Sequence, residues 1–424
     1  MNPADLLPHE LMDEDPLLDS AAQLEEAARA LDLEDWIVQR LKHSEREITV
    51  NLPLLRDSGD VAISTGIRVQ HFHGRAGCLG PMLLAPDAHI AQLRPLAQHF
   101  TLQCALFDLP LGGSAGAIVC DPAQLSEREL RHLVRDYLDA LDIRADIFAP
   151  TEFAAAWTSR QIAPAAVVGK PAVLGGLPDP AAAIAAGWFT LISDAFTAQP
   201  TPAGSSRPLA TSHQPPRSAL EGYRISLQGF GPAAATLARP LHDAGARIVA
   251  VADKSGGLFA ERGLDLAAIS THVAKQGMIY GFDGAEPVRN SDVLESACDL
   301  LITAAAERQL NAQNASRVRA PLILEAVHNA VTPAARRILT SRGTTVIPDL
   351  LGAAPRTLAW FAEWQHAIHC SVPEQADIES AIRRKLGAVF QRARSAALTH
   401  DTDLAEACLL LALEELGSSL RLTE

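Results

Sequence analysis

Two spacings of apolar positions divide the chain. Residues 17–31 (LLDSAAQLEEAARAL) repeat at helical spacing. Glu47-Ile48-Thr49-Val50-Asn51-Leu52 alternates and predicts a strand. Val61 to Val69 predicts a second, joined to the first through the turn Asp57-Ser58-Gly59-Asp60. Ser126-Glu127-Arg128-Glu129 reads as a capping box, in which the serine oxygen accepts from a helix amide and the glutamate reaches back. The helix it opens is expected to run to about Leu141. The first part of the chain therefore predicts a mixed sheet with helices.

Residues 199–217 (QPTPAGSSRPLATSHQPPR) carry five prolines and little that can be buried, so they predict a linker or exposed loop. Beyond them, Tyr223 to Gln228 is a short apolar strand, Gly229-Phe230-Gly231 follows, and a helical run leads to Asp243. Arg247 to Ala252 is the next strand and ends at Asp253. Further strands are expected at 300–302, 322–324 and 345–347, with helices between them. Strand–helix alternation predicts a parallel, doubly wound sheet. From about Thr357 the pattern is helical again, at 378–397 and 404–420. The expected organisation is an α/β chain of two domains. Residues 1–198 with 358–424 form a mixed α/β domain, and 218–357 form a doubly wound, Rossmann-like domain, with the final helices returning to the first.

Composition narrows the partners. Lys plus Arg against Asp plus Glu is 36 − 50, a net charge of −14, which repels phosphate backbones and anionic lipid. Neither nucleic acid nor a membrane is an expected partner. No apolar run is long enough to span a bilayer, and 1–15 lacks the basic region and apolar core of a signal peptide. The six cysteines (78, 104, 120, 298, 370 and 408) are scattered without a C-x-x-C pair, which reads as reduced, buried thiols of a cytoplasmic protein. No zinc site is expected.

A strand, a G-x-G at the mouth of a helix and an acidic residue closing the next strand form the dinucleotide pattern. Gly229 permits the tight turn, Gly231 lets backbone approach a pyrophosphate, and Asp253 is placed to bind ribose hydroxyls. NAD or NADP is the implied cofactor. Against its binding, Pro232 lacks the N–H that a phosphate would use at a helix start.

From Glu47 to Trp364 the chain resembles the glutamate/leucine/phenylalanine/valine dehydrogenase family, most closely its glutamate dehydrogenases. The marks run in order: Arg46 to Pro53, Thr65-Gly66-Ile67-Arg68-Val69, then Asp108-Leu109-Pro110-Leu111-Gly112-Gly113-Ser114-Ala115-Gly116, which is similar to D-L-P-F-G-G-x-K-G-G. Val168-Gly169-Lys170-Pro171, Leu174-Gly175-Gly176, Thr303-Ala304-Ala305, Val331-Thr332-Pro333 and Ile347-Pro348-Asp349-Leu350-Leu351 continue it. The resemblance implies a two-domain oxidoreductase with its substrate cleft between domains, usually hexameric. Such an enzyme takes hydride from the Cα of an amino acid onto a nicotinamide.

Laid along those motifs, the residues that run the chemistry are replaced. The family's site lysines fall at Leu79, Gln103 and Ala115, an arginine at Leu83, and the catalytic aspartate of A-P-D at Thr151. The serine touching the substrate side chain falls near Trp360. The arginine and threonine of R-x-x-A-T-G are Pro180 and Ile184, and the asparagine of E-G-A-N is His328, with Asn329 beside it as a replacement. A dicarboxylate needs cations and its deamination needs an acid–base pair. No catalytic residue is therefore assigned, and the expectation is a catalytically inactive family member.

Several side chains offer substitutes. Glu152 adjoins Thr151, although a carboxylate at a helix start is the ordinary reading. His71 and His73 form H-x-H on a strand and are expected to face one side. Cys104 and Cys120 flank the glycine-rich segment without a base in view, Arg356 is a candidate to bind a carboxylate but is expected rather to cap a helix or pair on the surface, and Lys170 is expected to be structural. Three readings stay open. The first is a regulatory or structural subunit joined to catalytic dehydrogenase chains or to itself, with an amino acid as effector. The others are an NAD(P)-dependent oxidoreductase of altered chemistry and a nucleotide-sensing homo-oligomer.

Overall fold

The computed structural model describes residues 16–141, 146–150, 152–198 and 220–423. The segment expected to be a linker, 199–217, lies outside them, as does Thr151. The chain divides into two compact units. One comprises Glu14–Pro180, Arg356–Ala381 and Gln391–Glu424, and the other Ala181–Pro355 with Ile382–Phe390.

The first unit opens with α1 (Pro16–Ala30) and α2 (Asp35–Lys42), followed by the hairpin β1 (Arg46–Leu55) and β2 (Val61–Gln70). Next come β3 (Cys78–Leu84), α3 (Ile90–Leu106), β4 (Gly112–Val119), α4 (Glu127–Ala140), β5 (Asp146–Pro150) and α5 (Glu152–Gln161). The strands form one sheet in the order β1-β2-β4-β3-β5, with antiparallel pairs on the hairpin side and parallel pairs around β3. The capping box forms as expected: Ser126 Oγ accepts from the Glu129 amide, and the Glu129 carboxylate accepts from the Ser126 amide.

Alternation along β4 assigns the two faces of this sheet. Ala115 and Ala117 pack with Leu93 and Ala97 of α3. Ile118 packs on the other side with Leu133, Val134 and Tyr137 of α4. Glycines let the layers meet: a Cβ on Gly113 would lie 2.2 Å from the Ala97 oxygen, and one on Gly116 would lie 2.5 Å from the Tyr137 hydroxyl.

The second unit begins in α6 (Pro180–Ala198) and continues through β6 (Arg224–Gln228), α7 (Pro232–Asp243), β7 (Arg247–Asp253), β8 (Gly256–Phe259), α8 (Leu266–Gln276), β9 (Glu286–Val288) and α9 (Asn290–Leu294). It closes with β10 (Leu300–Thr303), β11 (Leu322–Glu325), α10 (Pro333–Ser341), β12 (Thr345–Ile347) and α11 (Asp349–Gly352). The sheet order is β12-β11-β10-β6-β7-β8-β9. The first five strands are parallel, as the strand–helix alternation predicts, but β8 and β9 pair antiparallel. The cause is local. Asp253 pairs directly with Gly256, so only Lys254 and Ser255 join β7 to β8, far too few for the crossover a parallel pair needs. Pro287 is compatible with β9 because that strand is an edge.

The chain ends in α12 (Ala354–His369), α13 (Gln375–His400) and α14 (Leu404–Thr423). Leu409, Leu410, Leu413 and Leu416 of α14 pack with Leu24 of α1 and with Ile37 and Leu41 of α2, returning the C-terminus to the first unit. Among the described residues no helix is long and apolar enough to cross a membrane.

Candidate functional site

In the first unit, the positions that the resemblance assigns to substrate-binding cations are occupied by neutral, packed side chains. Leu79 and Ala115 are fully buried, and strand alternation puts both, with Leu83, on the α3 side of the sheet. Gln103, also buried, accepts a hydrogen bond at Oε1 from the Thr357 hydroxyl, 2.6 Å away on α12. Trp360, one turn beyond Thr357, stacks on Phe100 of α3 with centroids 5.9 Å apart. Glu152 opens α5.

Arg356 differs from its sequence expectation. It is exposed, and among the described residues it neither caps a helix nor forms an ion pair. The protein gathered around it withholds enough water to lower its guanidinium pKa. Arg356 and Trp360 are four residues apart on one helix, so they share a face.

The H-x-H pair is not a pair. β2 ends at Gln70, and beyond it His71 is buried while His73 is exposed. His71 bonds Thr101 and the Leu41 carbonyl, and burial lowers its pKa to about 4. His73 bonds Glu45 instead. Burial pushes the thiols of Cys104 and Cys120 up to about 12 and about 11, consistent with inert residues. Cys370, expected to be buried, is exposed because it sits just past the end of α12 in left-handed backbone. Lys170 is structural: its ammonium pairs with Glu363 of α12 at 2.8 Å, and the same carboxylate accepts from the amides of Gly169 and Lys170.

Sequence reading missed a buried network on the α4 side of this sheet. Arg68 donates twice to Asp146, at 2.9 and 2.6 Å, and also to Ser114 Oγ and the Pro81 carbonyl. Gln70 and Ser114 complete the Asp146 shell, and Phe148 lies 4.3 Å under the guanidinium. Its partners are up to 78 residues apart, so no local pattern betrays it.

In the second unit the glycine loop has the shape its motif predicts. Gly229 has φ +112°, and a Cβ there would lie 2.7 Å from the Ala304 carbonyl carbon. Phe230 is buried, and Gly231 precedes α7 in extended backbone. Asp253 closes β7, but its carboxylate is already engaged: Oδ1 accepts from the Ser255 amide at 2.6 Å and Oδ2 from the Ile279 amide at 2.9 Å. Only part of its acceptor capacity is left for a ribose.

Asn329 follows β11 in left-handed backbone, φ +48°, and its amide donates to Asp349 Oδ2. His328 bonds the same oxygen at 3.0 Å. Burial opposes a charge on His328, but Asp349, with Glu307 and Glu325 nearby, outweighs it and raises the pKa. Glu325, fully buried at the end of β11, is pushed up to about 7 by burial, against the pull of Arg336 at 2.6 Å. Neither Glu325, at a strand end, nor Asp349, at a helix start, stands out from sequence as chemically distinctive.

This arrangement places the chain among known proteins. A family model described as Glutamate/Leucine/Phenylalanine/Valine dehydrogenase matches residues 209–422, and one for the Glu/Leu/Phe/Val dehydrogenase dimerisation domain matches 44–153. The catabolic NAD-specific glutamate dehydrogenase RocG of Bacillus subtilis is 28% identical over 416 residues, covering 94% of this chain and 93% of that one. Glutamate dehydrogenase B of Halobacterium salinarum is 29% identical, covering 93% and 92%. Among solved structures, a hetero-hexameric glutamate dehydrogenase from Thermus thermophilus in its Leu-bound form superposes with a TM-score of 0.85 at 29% identity, covering 97% of this chain and 98% of that one. With both units matched in order, this chain belongs to the Glu/Leu/Phe/Val dehydrogenase family.

Proposed function

We propose that this chain is a non-catalytic subunit of a dehydrogenase oligomer, regulated by an apolar amino acid bound in its first unit. One observation carries the reading: Leu79, Gln103 and Ala115, at the positions of the family's site lysines, are buried and satisfied as neutral groups. A glutamate dianion held there without cations would face an uncompensated desolvation cost of several kcal/mol. General acid–base catalysis, worth about two to four orders of magnitude in rate, has no residue assigned to it among the described residues.

An apolar amino acid fits better. Its carboxylate is assigned to Arg356, which has no other partner among the described residues, and its side chain to the Trp360 face one turn along α12. The Thermus thermophilus relative is described as hetero-hexameric and Leu-bound, which supports both the mixed assembly and the effector class. The glycine loop at Gly229 and Gly231 is assigned a nicotinamide dinucleotide, NAD or NADP, as its shape and the NAD-specific relatives suggest.

Co-purification from the native host, followed by partner identification, tests the assembly, and adding leucine to the recovered complex tests the effector. The expected outcome is a co-purified catalytic dehydrogenase chain whose turnover changes with leucine, while this chain alone gives none. Recovery of this chain alone, or glutamate oxidation by it at blank-corrected rates, overturns the reading.

A further inference from the structure

The strand order of the second unit reverses between β6 and β10. The chain leaves β6 for β7 on one side and later returns to build β10 and β11 on the other. In a doubly wound sheet the crevice at that reversal, beyond the carboxyl ends of the strands, is where ligands sit. Gln228 is the last residue of β6 and pairs in register with Thr303, the last of β10. The segment 304–309 then follows, its Ala304 amide donating to the Gln228 carbonyl at 2.7 Å. Arg308 in this segment has φ +55°, and its amide donates to the carbonyl of Asn329, itself at φ +48°. The loops after β6, β10 and β11 are thus tied together, two of them through non-glycine residues in left-handed backbone, a conformation that persists where surroundings impose it.

Two polar atoms in this cluster lack partners. Gln228 is only 4% exposed, its Nε2 donates to Gln309 Oε1, and its Oε1 accepts nothing. Arg308 Nη1 is buried and donates to nothing, and among the described residues its guanidinium has no hydrogen bond and no ion pair. Buried donors and acceptors in native proteins are almost always satisfied, and an unmet charged donor is the costliest exception. The missing partners differ in kind: the arginine needs an anionic oxygen and the glutamine oxygen needs a donor. A phosphate with a neighbouring hydroxyl, as in a ribose phosphate, supplies both.

We propose that Arg308 binds the phosphate of the nucleotide held in this crevice, and that Gln228, whose Nε2 bonds the adjacent Gln309, takes a ribose hydroxyl at Oε1. The inference rests on the nucleotide assignment made above and adds the residue that recognises the ligand's anion, on a strand loop separate from the glycine turn. Arg308 is then a binding residue that carries charge selectivity where Pro232 has removed one backbone donor from the helix start.

Calorimetry on the full-length protein tests it, with NADH, ADP, inorganic phosphate and glutarate as titrants and with Arg308→Gln and Arg308→Lys as variants. Wild-type protein is expected to bind NADH and ADP. R308Q should weaken both by about tenfold to a hundredfold, the loss of a charge-assisted hydrogen bond, and R308K should retain an intermediate affinity. The salt dependence of ADP binding should flatten in R308Q. Absence of NADH and ADP binding to wild-type protein sinks the nucleotide assignment itself, and this inference with it. Unchanged affinity in an R308Q protein of normal melting temperature overturns this inference alone. A loss confined to glutarate also overturns it, because the anion would then be a carboxylate. If R308Q does not fold, the R308K affinities and the wild-type salt dependence decide.

Discussion

Thr357 donates its hydroxyl hydrogen to Gln103 Oε1 across 2.6 Å, and both side chains are buried. A neutral pair therefore fills the position where the family resemblance puts a substrate-holding lysine. If the chain is the non-catalytic subunit proposed, an ammonium group added here should not by itself produce glutamate turnover. In Gln103→Lys the new charge would be desolvated beside the Thr357 hydroxyl, at a position only 1% exposed. The expected result is a loss of about 3 kcal/mol or a lysine titrating well below its usual range, with no glutamate oxidation. Urea denaturation and an NAD(P)H absorbance assay check both halves. Thr357→Val should cost about 1 kcal/mol by removing this hydrogen bond, and a neutral result would show that the pair contributes nothing to the fold.

The Arg68–Asp146 pair of the first unit is deeply buried, with both side chains about 1% exposed. Asp146→Asn removes the charge and leaves Arg68 facing an amide in a dry interior. The expected destabilisation is about 3–5 kcal/mol, read as a lowered urea midpoint. Replacing Arg68 with Met at the same time should recover part of that loss, because two uncharged groups of similar volume no longer carry a desolvation penalty. A double variant as weak as the single one would mean that the hydrogen bonds, not the charge, dominate.

Local signals were legible in the sequence, and long-range ones were not. The Ser126 capping box needs only residues 126–129, and the β6–Gly229–α7 turn needs only one glycine pattern, so both were readable. The reversal at β8 was not, because Gly256-Gly257-Leu258-Phe259 is too short for a periodic signal and its direction is set by a two-residue turn. Strand alternation predicts one face for His71 and His73 only while the strand lasts, and β2 ends at Gln70, although the His71 backbone still bonds Gly113 and Glu45. Arg68 and Asp146 meet through the sheet order, and Gln228 and Arg308 through the strand reversal. For the candidate site, the resemblance points to the positions of Leu79, Gln103 and Ala115, and the structure adds that these side chains are buried.

Gly229→Val tests the glycine turn. Its φ of +112° disfavours any L side chain, and the added Cβ would fall 2.7 Å from the Ala304 carbonyl carbon. The strain alone costs about 1–3 kcal/mol, and relieving the overlap must move the 304–309 loop that carries Arg308. The expected phenotype is a lowered melting temperature together with loss of NADH binding by calorimetry. Retained NADH affinity would place the nucleotide away from this turn.

His71 should make stability depend on pH. The Leu41 carbonyl can only accept, so Nε2 carries the proton and Nδ1 is left to accept from the Thr101 hydroxyl, a neutral ring satisfied on both sides. Burial holds its pKa at about 4, against 6.5 for an ordinary histidine. Above pH 6.5 the ring is neutral whether the chain is folded or not, so it adds no slope. Between 6.5 and 4 the unfolded chain binds a proton that the folded one refuses, and stability falls as the pH drops. The full difference amounts to about 3 kcal/mol by pH 4, at 1.36 kcal/mol per pKa unit. Urea midpoints at pH 7, 5.5 and 4 should trace that loss in the wild type. In His71→Gln, which cannot titrate, the same series should be flatter by about that amount. An identical slope in the two proteins would assign the acid sensitivity to other groups.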